Sequence, residues 1–175
     1  GITLYHNNGF ANRLKLSVDQ NEINFPKINN GWCFYSVEDI RNLKLGVDGT
    51  TCWIGDKSSK IKGLLLGDSY AGHYEPFWDK IGKEGGYAIN AITTNYCFPS
   101  LNDIFPGPKE SLAIFQCSYN RKFILNNVSN YDFIILGGAW SSVVEKSNIN
   151  NVFNLIDYIA PKVKLIIIMP SPKIF

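Results

Sequence analysis

Four short apolar runs, separated by longer stretches of helical character, constrain the fold of this chain more than any other feature. The runs are Lys62 to Leu66, Tyr87 to Thr94, Tyr131 to Leu136 and Val163 to Met169. The first ends at Gly67-Asp68-Ser69, the third breaks at Gly137-Gly138, and the fourth is stopped by Pro170 and Pro172. Between them lie a helical stretch reaching about Lys83, another around Glu110 to Asn127, and a third from Ser142 to Ile159, which Pro161 ends. In the third stretch Val144, Ile149, Val152, Leu155, Ile156 and Ile159 recur at helical spacing and are its candidate inner positions. Strands that are apolar throughout, rather than alternating, are covered on both faces. With helices between them they predict a mainly parallel sheet. Right-handed crossovers then make it a three-layer α/β/α sandwich of doubly wound, flavodoxin-like type.

Residues 1–60 carry no such period. They are rich in Asn, Gly and aromatic residues, with turn signals at Asn29-Asn30-Gly31 and Asp48-Gly49. They read as an irregular extension preceding an α/β domain over 61–175. A length of 175 residues fits one domain plus such an extension, and 45% apolar residues are enough for a buried core. The four cysteines fall into two pairs, Cys33 with Cys52 and Cys97 with Cys117. They are expected to form two disulfides, the first pinning the extension, which implies an oxidising compartment. Four buried free thiols are the alternative. Neither pair is C-x-x-C, and His6 and His73 are the only histidines, so no metal site is expected. With 17 Lys and Arg against 15 Asp and Glu, no basic patch points to nucleic acid. The apolar runs are far too short to cross a bilayer. The first residues, Gly1-Ile2-Thr3-Leu4-Tyr5-His6, lack the pattern of a signal peptide, so the chain reads as a mature or excised domain. Because the sheet stops after its fourth strand, where one more α/β unit normally follows, the domain is expected to be incomplete at its carboxyl end.

In a doubly wound sheet, ligands bind beyond the carboxyl ends of the strands. Three stretches sit there: Gly67-Asp68-Ser69, Thr93-Thr94-Asn95-Tyr96-Cys97 and Gly137-Gly138-Ala139-Trp140. A strand that runs through Gly-Asp-Ser into a helix exposes the Ser69 hydroxyl on a tight turn and offers backbone N–H groups to an oxyanion. Ser69 is therefore the candidate nucleophile. The alternative is that Asp68 or Ser69 only caps the following helix.

Leu64-Leu65-Leu66-Gly67-Asp68-Ser69-Tyr70-Ala71-Gly72-His73-Tyr74 resembles the first block of the SGNH (GDSL-like) hydrolase superfamily. More narrowly, it is similar to the periplasmic SGNH domain fused to bacterial acyltransferase-3 membrane proteins. Thr93-Thr94-Asn95-Tyr96-Cys97-Phe98-Pro99 resembles that family's Cys-x-Pro segment, and Phe133-Ile134-Ile135-Leu136-Gly137-Gly138-Ala139-Trp140-Ser141 its third block. The resemblance covers residues 33 to about 170, and residues 1–32 would then be the linker from a membrane domain. It implies a serine-dependent O-acyltransferase that moves an acetyl group to a hydroxyl of a surface carbohydrate such as lipopolysaccharide O-antigen. It also implies a periplasmic domain of an inner-membrane protein, with the membrane acyltransferase domain, an acyl donor and a carbohydrate acceptor as partners and no cofactor. Beside Ser69, the oxyanion and pocket candidates are Gly67, Asp68, Asn95, Gly138 and Trp140. Trp140 would either line an acyl pocket or close the core.

The chain departs from the family in three places. Tyr70 stands where His usually follows the serine, Gly137-Gly138 replaces an Asn oxyanion donor, and no Asp-x-x-His occurs before Phe175. His73, one helical turn past Ser69, is poorly placed as its base. Two relatives of the main reading follow from this: a carbohydrate O-acetyl esterase, in which water takes the acetyl group, and a catalytically degenerate module that binds glycan or a partner. An α/β-hydrolase is a weaker rival, because Gly67-Asp68-Ser69-Tyr70-Ala71 only nearly fits G-x-S-x-G and Ser69 follows the first recognisable strand. Tyr74, Phe77 and Trp78 read as helix-packing residues, and Asn127-Val128-Ser129 as an ordinary turn.

Overall fold

In the computed structural model the described residues are Cys33 and Thr50 to Ser171. His6, the turns at 29–31 and 48–49 and most of the expected extension lie outside them. The elements are β1 (Trp53–Gly55), β2 (Lys62–Gly67), α1 (Ser69–Gly72), α2 (Glu75–Gly85), β3 (Ala88–Thr93), α3 (Ala113–Asn127), β4 (Phe133–Gly137), α4 (Trp140–Glu145), α5 (Ile149–Ile159) and β5 (Leu165–Ile168). They form one sheet of order β1-β3-β2-β4-β5. The last four strands in that order are parallel, and β1 pairs antiparallel with β3 at the edge. The parallel strands thus run second-first-third-fourth, the flavodoxin-like order.

β2, β3 and β4 are the apolar runs seen in the sequence, and they are buried along almost their whole length because helices cover both faces. On one face Leu64, Leu66, Ile92, Ile134 and Leu136 pack against Ile124 of α3 and Leu155 and Ile159 of α5. On the other, Leu65, Ile89, Ala91 and Ile135 pack against Ala71 of α1 and Trp78 of α2. Asn90, the one polar residue facing inward from mid-β3, is fully used. Its Oδ1 accepts from the Cys52 N–H at 3.0 Å, and its Nδ2 donates to the Thr50 carbonyl at 3.1 Å and the Tyr131 hydroxyl at 2.9 Å. This ties the segment leading into β1 to the sheet.

Both expected disulfides form, Cys33–Cys52 and Cys97–Cys117, and all four cysteines are used. Four differences from the sequence reading have local causes. β1, which fell within the expected irregular extension, is a strand of three residues, too short to show a period. The helix expected from Ser69 to Lys83 is two helices, because Pro76 lacks an N–H and starts a new helix at its first turn. The helix expected over Ser142 to Ile159 is also two, separated where Ser147 adopts φ +57°. That break shifts the phase of the first piece, so Val143 is buried and Val144 is 57% exposed rather than inward-facing. Of the three aromatic residues near α2, Trp78 is in the core but Phe77 is exposed.

Candidate active site

The strand register brings the three suspected stretches together. Gly67 pairs with Thr93 on one side and with Gly137 on the other, so β2, β3 and β4 end level and their loops leave from one rim. β3 and β4 lie on opposite sides of β2, which makes this rim the point where the strand order reverses.

Gly67 carries φ +147°, and a Cβ there would stand 1.9 Å from the Gly137 carbonyl oxygen and 2.6 Å from the Ala71 Cβ. Only glycine fits, and its flip turns the chain sharply from β2 into α1. The Thr94 N–H donates to the Gly67 carbonyl at 3.1 Å, holding the second loop against the first. Asp68 then bridges the first loop to the third. One carboxylate oxygen accepts from the Tyr70 N–H at 2.8 Å, and the other from the Ala139 N–H at 3.0 Å. Asp68 is therefore the cap of α1 that the sequence allowed, and a cross-link between loops as well. Burial raises its pKa above the usual carboxylate range, while the N–H groups of Ala139, Tyr70 and Ala71 pull it back.

Ser69 follows, half-buried, as the first residue of α1. It opens onto a cleft of about 160 Å³. Asp68, Ser69 and Tyr70 line it from the first loop, Tyr96 and Phe98 from the second, and Ala139 from the third. The far wall is Ser142 and Val143 of α4, with Lys146 and Asn148 at the α4–α5 break and Pro106 opposite. The Lys146 ammonium donates to the Pro106 carbonyl at 3.4 Å across this wall.

The other candidates lie around the cleft rather than on it. Gly67 shapes the turn beneath Ser69. Gly138 accepts at its carbonyl from the Ser171 hydroxyl at 2.8 Å and packs near the Trp140 ring. Trp140 packs against the core and donates its indole N–H to the Met169 carbonyl at 2.6 Å, which fixes the end of β5 to the third loop. Asn95 sits at the second loop without lining the cleft, and its side-chain oxygen is buried with no partner. His73 ends α1, is exposed, and leans on the Tyr70 ring at 6.0 Å, outside the cleft. Among the described residues no imidazole lines the cleft.

Sequence reasoning missed Tyr96, Phe98, Ser142, Val143, Lys146 and Asn148. Tyr96 has φ +58°, a left-handed conformation unusual for an aromatic residue, which turns it toward the cleft mouth. Ser147-Asn148, two residues that prefer caps to helix interiors, was the available sign that the long helix breaks beside the site. Glu75 was also missed. It is fully buried at the start of α2 and accepts from the Thr93 hydroxyl and the Cys33 N–H, joining the Cys33–Cys52 disulfide to the end of β3.

The family model described as "SGNH domain (fused to AT3 domains)" matches residues 32–174. The chain belongs to that family. A solved structure, the periplasmic domain of a lipopolysaccharide acetyltransferase from Salmonella ser. Paratyphi A, aligns over 81% of this chain with 16% identity and a TM-score of 0.46. The chain covers 53% of that structure. No curated protein matches the chain.

Proposed function

We propose that this SGNH domain is a periplasmic O-acyltransferase module of an inner-membrane protein. In this reading it passes an acetyl group through Ser69 to a hydroxyl of a cell-surface carbohydrate such as lipopolysaccharide O-antigen. The supporting observation is the turn at Gly67-Asp68-Ser69. It presents a serine to a cleft at the strand-order reversal, in a chain whose family is fused to membrane acyltransferases. The two disulfides fit an oxidising compartment.

A base takes the proton from the Ser69 hydroxyl, and the oxygen attacks the acyl carbonyl. The Ser69 N–H, at the start of α1, faces the developing oxyanion. The donor's leaving group departs with the proton, leaving acetyl-Ser69. The sugar hydroxyl then gives its proton to the base and attacks the ester, and Ser69 is reprotonated as it leaves. Each carboxylate oxygen of Asp68 already accepts one backbone N–H, which assigns it to holding the loops together. In this reading the base is supplied from outside the described residues, since no imidazole among them, His73 included, lines the cleft. If water replaces the sugar, the same steps make an O-acetyl esterase.

A second reading, a catalytically silent module that binds glycan or a partner, draws on the lack of any imidazole in the cleft among the described residues. The test is O-acetyl analysis by mass spectrometry of surface polysaccharide from cells whose only copy of the full-length protein carries Ser69→Ala. Loss of the acetyl group supports transfer. Retention at wild-type level favours the silent module.

A further inference from the structure

α3 carries polar residues on its inner face. Gln116, Asn120 and Arg121 are buried there beside Ala113, Cys117 and Ile124, while Phe115 and Tyr119 are about half exposed. Arg121 is the one Lys or Arg that is buried among the described residues, at 4% exposure, and no carboxylate there pairs with it at ion-pair distance. Burying an unpaired guanidinium is costly, so its partners are informative. One is the Ile104 carbonyl, to which an Nη donates at 2.7 Å. The other is the ring of Phe98, whose centroid lies 5.4 Å from the guanidinium carbon. Both belong to the segment between β3 and α3 that supplies Tyr96, Phe98 and Pro106 to the Ser69 cleft.

Phe98 is a partition. One side lines the cleft, and the other lines a cavity of about 10 Å³ together with Gly67, Asn120 and Arg121. The Cys97–Cys117 disulfide ties the residue next to Phe98 to α3 one turn before Arg121. The cleft wall is therefore held from behind at three points on two turns of one helix.

We propose that Arg121 is a positioning residue for the Ser69 cleft: it clamps the Phe98 wall and the middle of the 94–112 segment at Ile104, and does not serve mainly to stabilise the fold. The significance for acyl transfer rests on the function proposed above; the clamp itself does not. Burial lowers the Arg121 pKa to about 10, with Asp103 pulling the other way, so the clamp stays charged at neutral pH. The cation–π contact and the charged hydrogen bond both persist there.

The test is hydrogen exchange followed by mass spectrometry on the protein and its Arg121→Met variant, with Arg121→Lys beside it. A hydrogen bond from a charged donor has a worth that corresponds to about ten- to a hundredfold in local opening. Amides of residues 94–112 are expected to exchange faster by that factor in Arg121→Met, with those of β2 and β4 unchanged. Arg121→Lys keeps the charge on a stem that can still reach a carbonyl, so a smaller acceleration in the same segment is expected. Unchanged exchange over 94–112 would overturn the clamp. So would equal acceleration in β2 and β4, which would make Arg121 a general stabiliser. If Arg121→Met does not fold, the same two outcomes are read from Arg121→Lys. None of these readouts depends on Ser69 being reactive, so a silent serine and an absent clamp are told apart.

Discussion

Replacing Gly67 by alanine tests the geometry on which the site depends. Two costs add at this position. The backbone stands at φ +147°, a region L residues rarely enter, and holding alanine there costs about 1–3 kcal/mol. The added methyl would also lie 1.9 Å from the Gly137 carbonyl oxygen and 2.6 Å from the Ala71 Cβ. Gly137 belongs to the neighbouring strand and Ala71 to α1, so neither can swing aside as a flexible side chain would. Overpacking of this kind costs a further ~1–3 kcal/mol. The total of about 2–6 kcal/mol compares with a whole-domain stability of roughly 5–15 kcal/mol. At about 2–4 °C per kcal/mol for a chain of this size, the melting midpoint should fall by about 4–24 °C. The control is Gly86→Ala. Gly86 also has positive φ, +72°, but nothing lies within 4 Å of its added Cβ, so only the backbone cost applies. Thermal melts followed by circular dichroism should rank wild type above Gly86→Ala and Gly86→Ala above Gly67→Ala. A Gly67→Ala midpoint equal to that of Gly86→Ala would refute the close approach of β2, β4 and α1 beneath Ser69.

Removing the Cys97–Cys117 disulfide by a double Cys→Ala change should cost about 3 kcal/mol, as expected for a closed loop of this sequence separation of 20, measured by urea denaturation. An unchanged midpoint would show that the second loop is held without it. Stability should respond to acid in two opposite ways. Asp132, held by the Lys164 ammonium and the Lys62 N–H, has a lowered pKa, so its contribution is present above about pH 3.8 and lost as pH falls through the folded value. The stability gap between wild type and Asp132→Asn should therefore close on acidification, and a gap that widens would contradict the pairing. Burial raises the pKa of Asp68, so its ionisation opposes folding increasingly as pH rises from about 3.8 through its folded value. Asp68 should accordingly titrate above a normal aspartate by carboxyl NMR, and a normal or lowered value would refute its burial.

What the sequence made legible follows from its physical clarity. β2, β3 and β4 were readable because strands covered on both faces are apolar throughout, and Gly67 and Gly137-Gly138 marked where they end. From that much, the convergence of the three loops follows by topology alone. β1 was not readable, since three residues at an antiparallel edge carry no period. The inner face of α3 was hidden for a different reason. Gln116, Asn120 and Arg121 look like a solvated face until the Ile104 carbonyl and the Phe98 ring are seen beside them. The cleft walls were hidden because Tyr96 and Ser147 take left-handed turns without glycine, and only the cap-preferring Ser147-Asn148 pair hinted at one of them. Asp68 was legible as a cap, but its second bond, to Ala139 in the third loop, is a long-range contact that no local pattern encodes.

The central claim is that Ser69 is a nucleophile. The most direct measurement is peptide mass spectrometry on the full-length protein, membrane domains included, after treatment with a fluorophosphonate. The account predicts one adduct, on the peptide containing Gly67-Asp68-Ser69, which disappears in Ser69→Ala. A protein that stays unmodified, or is modified at another serine, would contradict it.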